Sequence, residues 1–496
     1  MQFYRTANRT LQLTSGAPAL TLTRRTMDSI TFATIAEITE NIRNRKISPV
    51  EIVEAHCRRI QTLQPRLNAF AHVDFENARS LARAAETAIS SGTSIGPLHG
   101  VPLTVKSCID VAGWPCAVGS RLRKDYVPRH DAPLVARLKA GGAIIIGNTS
   151  TPEFLMAYET NNALTGKTSN PWDLSRTAGG SSGGEAAAIA SGCSAGGVGS
   201  DGGGSIRVPA HFSGICGLKS TPGRIPASGH YPPPGGAFSW LGVVGPMART
   251  IADVRSLFQI IAGPDPGDAL SAPVAPRSFQ HSALRGLRIG ILESDTLGRV
   301  TPETDAIVKR AAKLLSENHF VVEPFRLEGL DQALDLWWLF FGEMVGYLFH
   351  QLVSGHENDI SPMLREYLAV AVSKIPPTLD QFMNACVQRD LLRAAILRQM
   401  RDVPILLSPV SAAPAFRHGE GNWQPGTGYR DTMRHSQWVN LVGFPGVSVP
   451  IGLSSENQPI GVQIIGRPYE EELVLAVAET LENARGPWKK PPIANP

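Results

Sequence analysis

The run from Ala178 to Ala210, AGGSSGGEAAAIASGCSAGGVGSDGGGSIRVPA, constrains this chain more than any other segment. The sequence has 48 glycines and 38 prolines, about 17 % of all residues against an ordinary ~12 %, and the excess is local. Backbone without side chains lets a ligand approach closely and offers successive N–H groups as an anion-binding nest. The alternative is a pair of flexible glycine turns that merely connect elements.

Several motifs fall in or near this run, and physical context separates them. Gly197–Gly202 has the glycine spacing of a dinucleotide fingerprint, but the residues before it, Ser191–Gly196, make a poor strand. Gly166-Lys167-Thr168 ends like a phosphate loop, yet Asn161 stands where the first glycine is required. Gly179–Gly183 has the form GxSxG, with Ser181 as the candidate nucleophile and His418 or His435 as candidate partners. That elbow needs an apolar strand immediately before the serine, and Leu174–Ala178 is not one. A helix start fits better: Ser182 and Glu185 have capping-box spacing before Ala186–Ala190, which leaves Ser181 near the positive end. Asp201-Gly202-Gly203-Gly204-Ser205 then presents three glycine N–H groups just before a serine.

The flanking sequence alternates helical and strand patterns. Ser48, Pro49 and Glu51 read as cap, first-turn proline and capping-box acid, followed by Val50, Val53, Cys57 and Ile60 at helical spacing. Val101–Lys106 reads as a short strand with Val101, Leu103 and Val105 on one face and Thr104 and Lys106 on the other. Asp131 is a candidate cap for a helix reaching Ala140, followed by a buried strand at Ala143–Ile146. Leu287–Leu292, a helix from Thr301-Pro302, and Phe320–Val322 continue the pattern. It predicts an α/β chain with a partly parallel sheet. Pro264–Arg277 reads as a crossover within one fold.

Composition excludes several classes. With 43 % hydrophobic and 18 % charged residues the chain is not disordered, and a formal charge of +4 without a dense basic block gives no support for nucleic-acid binding. The six cysteines have neither CxxC nor metal-like spacing, so no metal or cofactor is expected and a reducing compartment, the cytoplasm, is. The most apolar window, Asp335–Val353, carries Glu343 and His350 and reads as a buried or amphipathic helix, not an integral membrane span. Residues 1–27, with four arginines and no acid, have the composition of a transit peptide; a loosely attached or disordered extension is the preferred reading, with residues 28–496 as one domain.

Together the motifs resemble the amidase signature family. They are Gly179–Gly184, Gly203–Arg207, Leu98–Lys106, Gly443–Pro450 and Pro459–Gly466 in that family's order, with 75 residues from Lys106 to Ser181 and 24 from Ser181 to Ser205. The likeness extends over nearly the whole chain after Met27. It implies a single α/β/α fold with a mixed central sheet of about eleven strands covered by helices. It also implies a cis peptide between Gly180 and Ser181, and a triad of Ser205, Ser181 and Lys106. In those roles Ser205 attacks the amide carbonyl, Ser181 bridges protons, and Lys106 is the general base. Backbone N–H groups at Gly202, Gly203 and Gly204 would hold the oxyanion, each worth roughly 2.7–4 kcal/mol. Lys106 must be neutral to act, and a drop from ~10.4 to ~7 corresponds to about 4 kcal/mol, within reach of a desolvated site. Asp201 and Arg207 would orient the loop.

Two positions depart from the family pattern: Ser107 stands where an acid often follows the lysine, and Gly202 where relatives often carry a larger residue. The expected substrate is a small-molecule amide, with anilides, esters or carbamates also within the chemistry. Features around Tyr158–Asn162, Asn170–Trp172 and Gly214–Lys219 lean toward the fatty-acid-amide branch, and Trp337–Phe349 is either a roof over an acyl pocket or ordinary core helix. A homodimer is a family expectation. The alternative function is a glutamine-hydrolysing subunit of a tRNA-dependent amidotransferase complex, and the sequence singles out no glutamine carboxylate clamp.

Overall fold

Strands Pro102–Lys106, Ile144–Thr149 and Gly196–Asp201 are buried along their whole length. That fits the apolar run Ile144–Ile146, whereas Pro102–Lys106 alternates in sequence and still buries both faces, Thr104 and Lys106 included. The computed structural model describes residues 27–93, 95–233, 235–292, 297–372, 376–426 and 428–494. Residues 1–26 of the expected extension therefore lie outside the described residues, and Met27 opens a short helix, Met27–Thr31.

Eleven strands form one mixed sheet. Their spatial order is Phe70–Val73, Ile144–Thr149, Pro102–Lys106, Gly196–Asp201, Val243–Ala248, Cys216–Lys219, Gly446–Leu453, Pro459–Gly466, Ile405–Pro409, Arg288–Leu292 and Val321–Phe325. Pro102–Lys106 runs parallel to both of its neighbours, with Leu103 opposite Gly196 and Val105 opposite Val198. Arg288–Leu292 is likewise parallel to its two neighbours, and the remaining pairs are antiparallel. Helices cover the sheet; Arg207–Ser213 and Glu471–Arg485 both pack on Gly446–Leu453 and Pro459–Gly466. Among the described residues no helix is long and apolar enough to cross a membrane.

Local signals account for most boundaries. Ser48 caps helix Pro49–Leu67 in a complete capping box with Glu51, and Asn68 ends it in the left-handed region. Thr301 caps Pro302–Glu317, with proline in the first turn. Two expected caps are corrected. Asp131 does not cap Pro133–Ala140; its carboxylate instead pairs with Lys139 at 2.8 Å and accepts from the Ala112 N–H at 2.8 Å. Ser182 occupies the cap position of Gly183–Ala190 without a side-chain cap bond. Its hydroxyl donates to the Ser200 carbonyl at 3.2 Å, and Glu185 turns into the sheet, accepting from Thr104 and, at 2.7 Å, from Thr149. A carboxyl seated under two strand threonines cannot also reach back to its own helix terminus.

Glu185 also explains the glycine-rich strand. A Cβ at Gly197 would collide with the Glu185 carboxyl and the Thr104 carbonyl, and one at Gly199 would meet Met247 Sδ and Ser182 Oγ, both at 2.8 Å. The strand is bare so that helix Gly183–Ala190 can lie close to it. The segment read as a single helix over Asp335–Val353 is Leu330–Trp337, then a π-helical turn at Trp338–Met344, then Val345–Val353.

Candidate active site

Parallel pairing brings the carboxyl ends of Pro102–Lys106 and Gly196–Asp201 to the same level. This edge is where parallel sheets present ligands. Lys106 is fully buried there, and its Nζ donates to Ser181 Oγ at 2.7 Å, to Ser200 Oγ at 2.9 Å and to the Ser200 carbonyl at 3.4 Å. Burial pushes the Lys106 amine down to about 8, opposed by the charges of Cys108, Asp201 and Glu185. Glu185 itself is pushed up to about 8 by burial. Ser107, in the position where an acid often stands, is buried and contributes its N–H to Thr149 O at 3.1 Å.

Ser181 follows a cis peptide after Gly180. The close packing of Gly180 on the Ala157 carbonyl and the Glu159 amide, 2.6 and 2.8 Å from where a Cβ would lie, leaves only glycine admissible there. Ser205 is half-buried at the entrance to helix Arg207–Ser213, and its carbonyl accepts from the Ser182 N–H at 3.1 Å. Ser181, Ser200 and Ser205 line one cavity of about 20 Å³, room for roughly one water. Asp201 and His230 also face it, and the rest of its wall is mostly apolar: Leu155, Met156, Ala227, Phe238, Val243 and Phe341.

The loop between Asp201 and Ser205 is fixed by a buried ion pair. Asp201 accepts from Gly204 N–H at 2.6 Å, Ile206 N–H at 3.0 Å, Asn440 Nδ2 at 2.9 Å and both Nε and a terminal nitrogen of Arg207 at 3.1 Å. Burial pulls its carboxyl upward, but the Arg207 charge and hydrogen bonds outweigh that and hold it far below the usual carboxylate range. Arg207 reaches on to Gln463 Oε1 at 2.8 Å and Ser436 O at 3.1 Å, so every side of the pair is satisfied.

This network corrects one of the three glycines expected to hold an oxyanion. The Gly204 N–H is already given to Asp201. Within the described residues no hydrogen bond engages the N–H of Gly202 or Gly203. Their carbonyls are held from the other side, Gly202 O by Trp337 Nε1 at 3.1 Å and Gly203 O by Tyr158 Oη at 2.6 Å. Trp337 stacks on Phe341 at 4.6 Å, and Phe341 faces the cavity. The aromatic segment is thus both core and roof.

The GxSxG alternative is not built. Ser181 emerges from a loop rather than from a strand. His418 pairs through Nδ1 with Glu159 Oε1 at 2.7 Å, while His435 is buried among other residues and pushed down to about 3 by that burial. Neither lines the cavity; the histidine that does is His230. Sequence reasoning missed His230 and Ser200. Ser200 could have been found from register, because it stands one place beyond the residue level with Lys106 on a parallel neighbour.

The amidase family profile matches residues 51–475. A glutamyl-tRNA(Gln) amidotransferase subunit from Carboxydothermus hydrogenoformans is 33 % identical over 480 residues, 91 % of this chain and 97 % of that protein. Among solved structures, a fatty acid amide hydrolase superposes with a TM-score of 0.84 at 25 % identity, covering 93 % of this chain and 86 % of the other. A bacterial aryl acylamidase of the amidase signature enzymes superposes with a TM-score of 0.79 at 28 % identity, covering 91 % and 96 %.

Proposed function

This chain belongs to the amidase family, and we propose that it cleaves carboxylic amides through an acyl-enzyme on Ser205, with Ser181 as proton bridge and neutral Lys106 as general base. The observation that carries this reading is the Lys106 amine, stripped of water and hydrogen-bonded to Ser181 Oγ at 2.7 Å beside the cavity that Ser205 shares. Ser205 Oγ bonds to the carbonyl carbon as its proton passes to Ser181 and the Ser181 proton to Lys106. The oxyanion lies against the N–H groups of Gly202 and Gly203, with Gly204 serving instead to anchor the loop on Asp201. The proton returns through Ser181 to the leaving nitrogen as the C–N bond breaks. Water then attacks the ester by the same route.

The apolar walls favour an apolar or aromatic acyl group, with anilides, esters and carbamates chemically accessible. A second reading is a glutamine-hydrolysing subunit that works with protein partners. On sequence likeness it has the greater support, since the relative named above at 33 % identity is an amidotransferase subunit. The lining of the catalytic cavity favours the first, because it offers no basic side chain other than His230 to a glutamine carboxylate.

The test is a panel of p-nitroanilides and carbamates graded by acyl size, run beside glutamine, with mass spectrometry for an acyl group on Ser205. Release of p-nitroaniline that Ser205→Ala abolishes supports the hydrolase. Activity confined to glutamine, with stable co-purification of partner proteins, supports the second reading.

A further inference from the structure

Beyond the catalytic cavity lies a larger hollow of about 800 Å³. The two share a wall. Phe154 and Tyr231 face the outer hollow, and their chain neighbours Leu155 and His230 face the inner cavity. Phe154 and Leu155 both adopt left-handed backbone, with φ of 47° and 69°. For non-glycine residues this is a strained conformation, and such strain concentrates at ligand-holding segments. Phe154 is wedged between Phe349, stacked at 5.0 Å, and Tyr231 at 6.0 Å.

The rim of the outer hollow is cationic, carrying Arg121, Arg123 and Lys124. The Arg123 guanidinium lies over the rings of Tyr126 at 4.1 Å and Tyr231 at 3.6 Å, and its Nε is buried without a hydrogen-bond partner. Among the described residues no ion pair engages Arg121 or Arg123, and Lys124 has only a 4.0 Å contact with exposed Asp125. Asp359, which also faces the hollow, is bridged to His356 at 3.5 Å. Asp110 lies within electrostatic reach of Arg123 but is half-buried and outside the lining. Aromatic stacking holds a guanidinium flat and leaves its edge for a planar anion.

We infer that this hollow receives the distal end of the amide substrate and that this end is anionic, a carboxylate carried on an apolar or aromatic stem. The stem lies along Tyr231 and Leu352, backed by the buried Phe154; the carboxylate sits among Arg121, Arg123 and Lys124. The inference rests on the hydrolase reading above and names the substrate class for it.

The experiment uses matched aryl amides that end in either a carboxylate or a hydroxymethyl group, on stems of increasing length. At low salt one stem length should favour the carboxylate by about five- to tenfold in kcat/KM, an advantage that fades as salt rises. The exposed pair R121A/K124A should remove that advantage through KM, with a several-fold larger loss on the carboxylate than on the hydroxymethyl substrate. Equal kcat/KM for the two end groups at every stem length, or an equal loss on both in R121A/K124A, overturns the inference while the hydrolase reading stands. Binding of the carboxylated compounds to the Ser205→Ala variant, measured by calorimetry with and without R121A/K124A, reads the subsite without turnover. Tighter binding than the hydroxymethyl analogue that is lost in R121A/K124A supports the subsite even if no amide is cleaved. Equal binding with and without those cations refutes it.

Discussion

Lys106 Nζ lies 2.9 Å from Ser200 Oγ, nearly as close as it lies to Ser181 Oγ at 2.7 Å. An ammonium has three protons to donate, and the Ser200 carbonyl at 3.4 Å supplies the third acceptor. Among the described residues no carboxylate touches the amine; Asp201 and Glu185 act on it only through space. Dipoles soften the burial of the cation without matching it, so desolvation prevails and the amine falls to about 8.

The pH dependence follows directly. The base works only when neutral, so kcat/KM for a neutral amide should rise about tenfold per pH unit below pH 8 and level off above it, since Lys106 titrates at about 8. Stability should follow the same sign. The folded amine binds its proton less tightly than the unfolded one, so burial costs stability below pH 8 and that cost is relieved as the pH rises toward the unfolded value near 10.4. A rate profile flat from pH 6 to 9 would contradict Lys106 as the base.

Ser200→Ala removes one acceptor from the ammonium and leaves its other contacts. The cation becomes harder to hold, so the rising limb of the pH profile should move to lower pH. The amine also loses a tether, and the plateau should drop about tenfold or more. Ser200→Thr keeps the hydroxyl and should restore the position of the limb. The readout is kcat/KM against pH for the three proteins. A limb that moves upward in Ser200→Ala would show that Ser200 favours the neutral amine instead.

The parts of this arrangement that were legible in the sequence are those set by backbone chemistry. Ser48 with Glu51, and Thr301 with Pro302, announce helix starts because a terminus has N–H groups only certain side chains can satisfy. The glycine run marked the site because only bare backbone can approach that closely. The Ser182–Glu185 box failed for a reason local spacing cannot carry: Thr104 and Thr149, distant in sequence, compete for the same carboxyl. Gly204 was misread for a similar reason, since a glycine N–H that looks available along the chain is claimed by the Asp201 side chain. Ser200 and His230 reach the cavity through strand register and loop packing, which appear only when the sheet is assembled.

Asp201→Asn tests the loop. Asn preserves the shape and one acceptor but leaves the fully buried Arg207 without a charge partner. Breaking such a pair costs about 3–5 kcal/mol, so the denaturant midpoint should fall markedly, and activity with it as the loop loosens. The carboxyl is held far below its unfolded value, so its contribution is present above about pH 4 and lost on acidification. The variant should therefore lose less stability on going from pH 7 to pH 3 than the parent does.

Two neighbouring glycines should respond differently to the same methyl group. At Gly203 an added Cβ would lie 2.5 Å from Trp337 and 2.7 Å from Tyr158 Oη, both of them buried groups with nowhere to go. Those side chains hold the Gly202 and Gly203 carbonyls, so displacing them also turns the N–H groups assigned to the oxyanion. Gly203→Ala should cost stability, by about 1–3 kcal/mol as overpacking does, and lower kcat by ~100-fold or more, as loss of an oxyanion donor does. At Gly202 the nearest atom is Phe341 Cε2 at 3.3 Å, the edge of a ring that faces the cavity. A few tenths of an ångström of ring movement admits the methyl, so Gly202→Ala should fold normally and keep most of its activity on small acyl groups. Rates should fall selectively as the acyl group grows, because the methyl takes space from a cavity of only about 20 Å³. Unfolding midpoints and kcat over the graded anilides measure both effects. A Gly203→Ala protein as stable and active as its parent would mean that Trp337 and Tyr158 do not hold this loop.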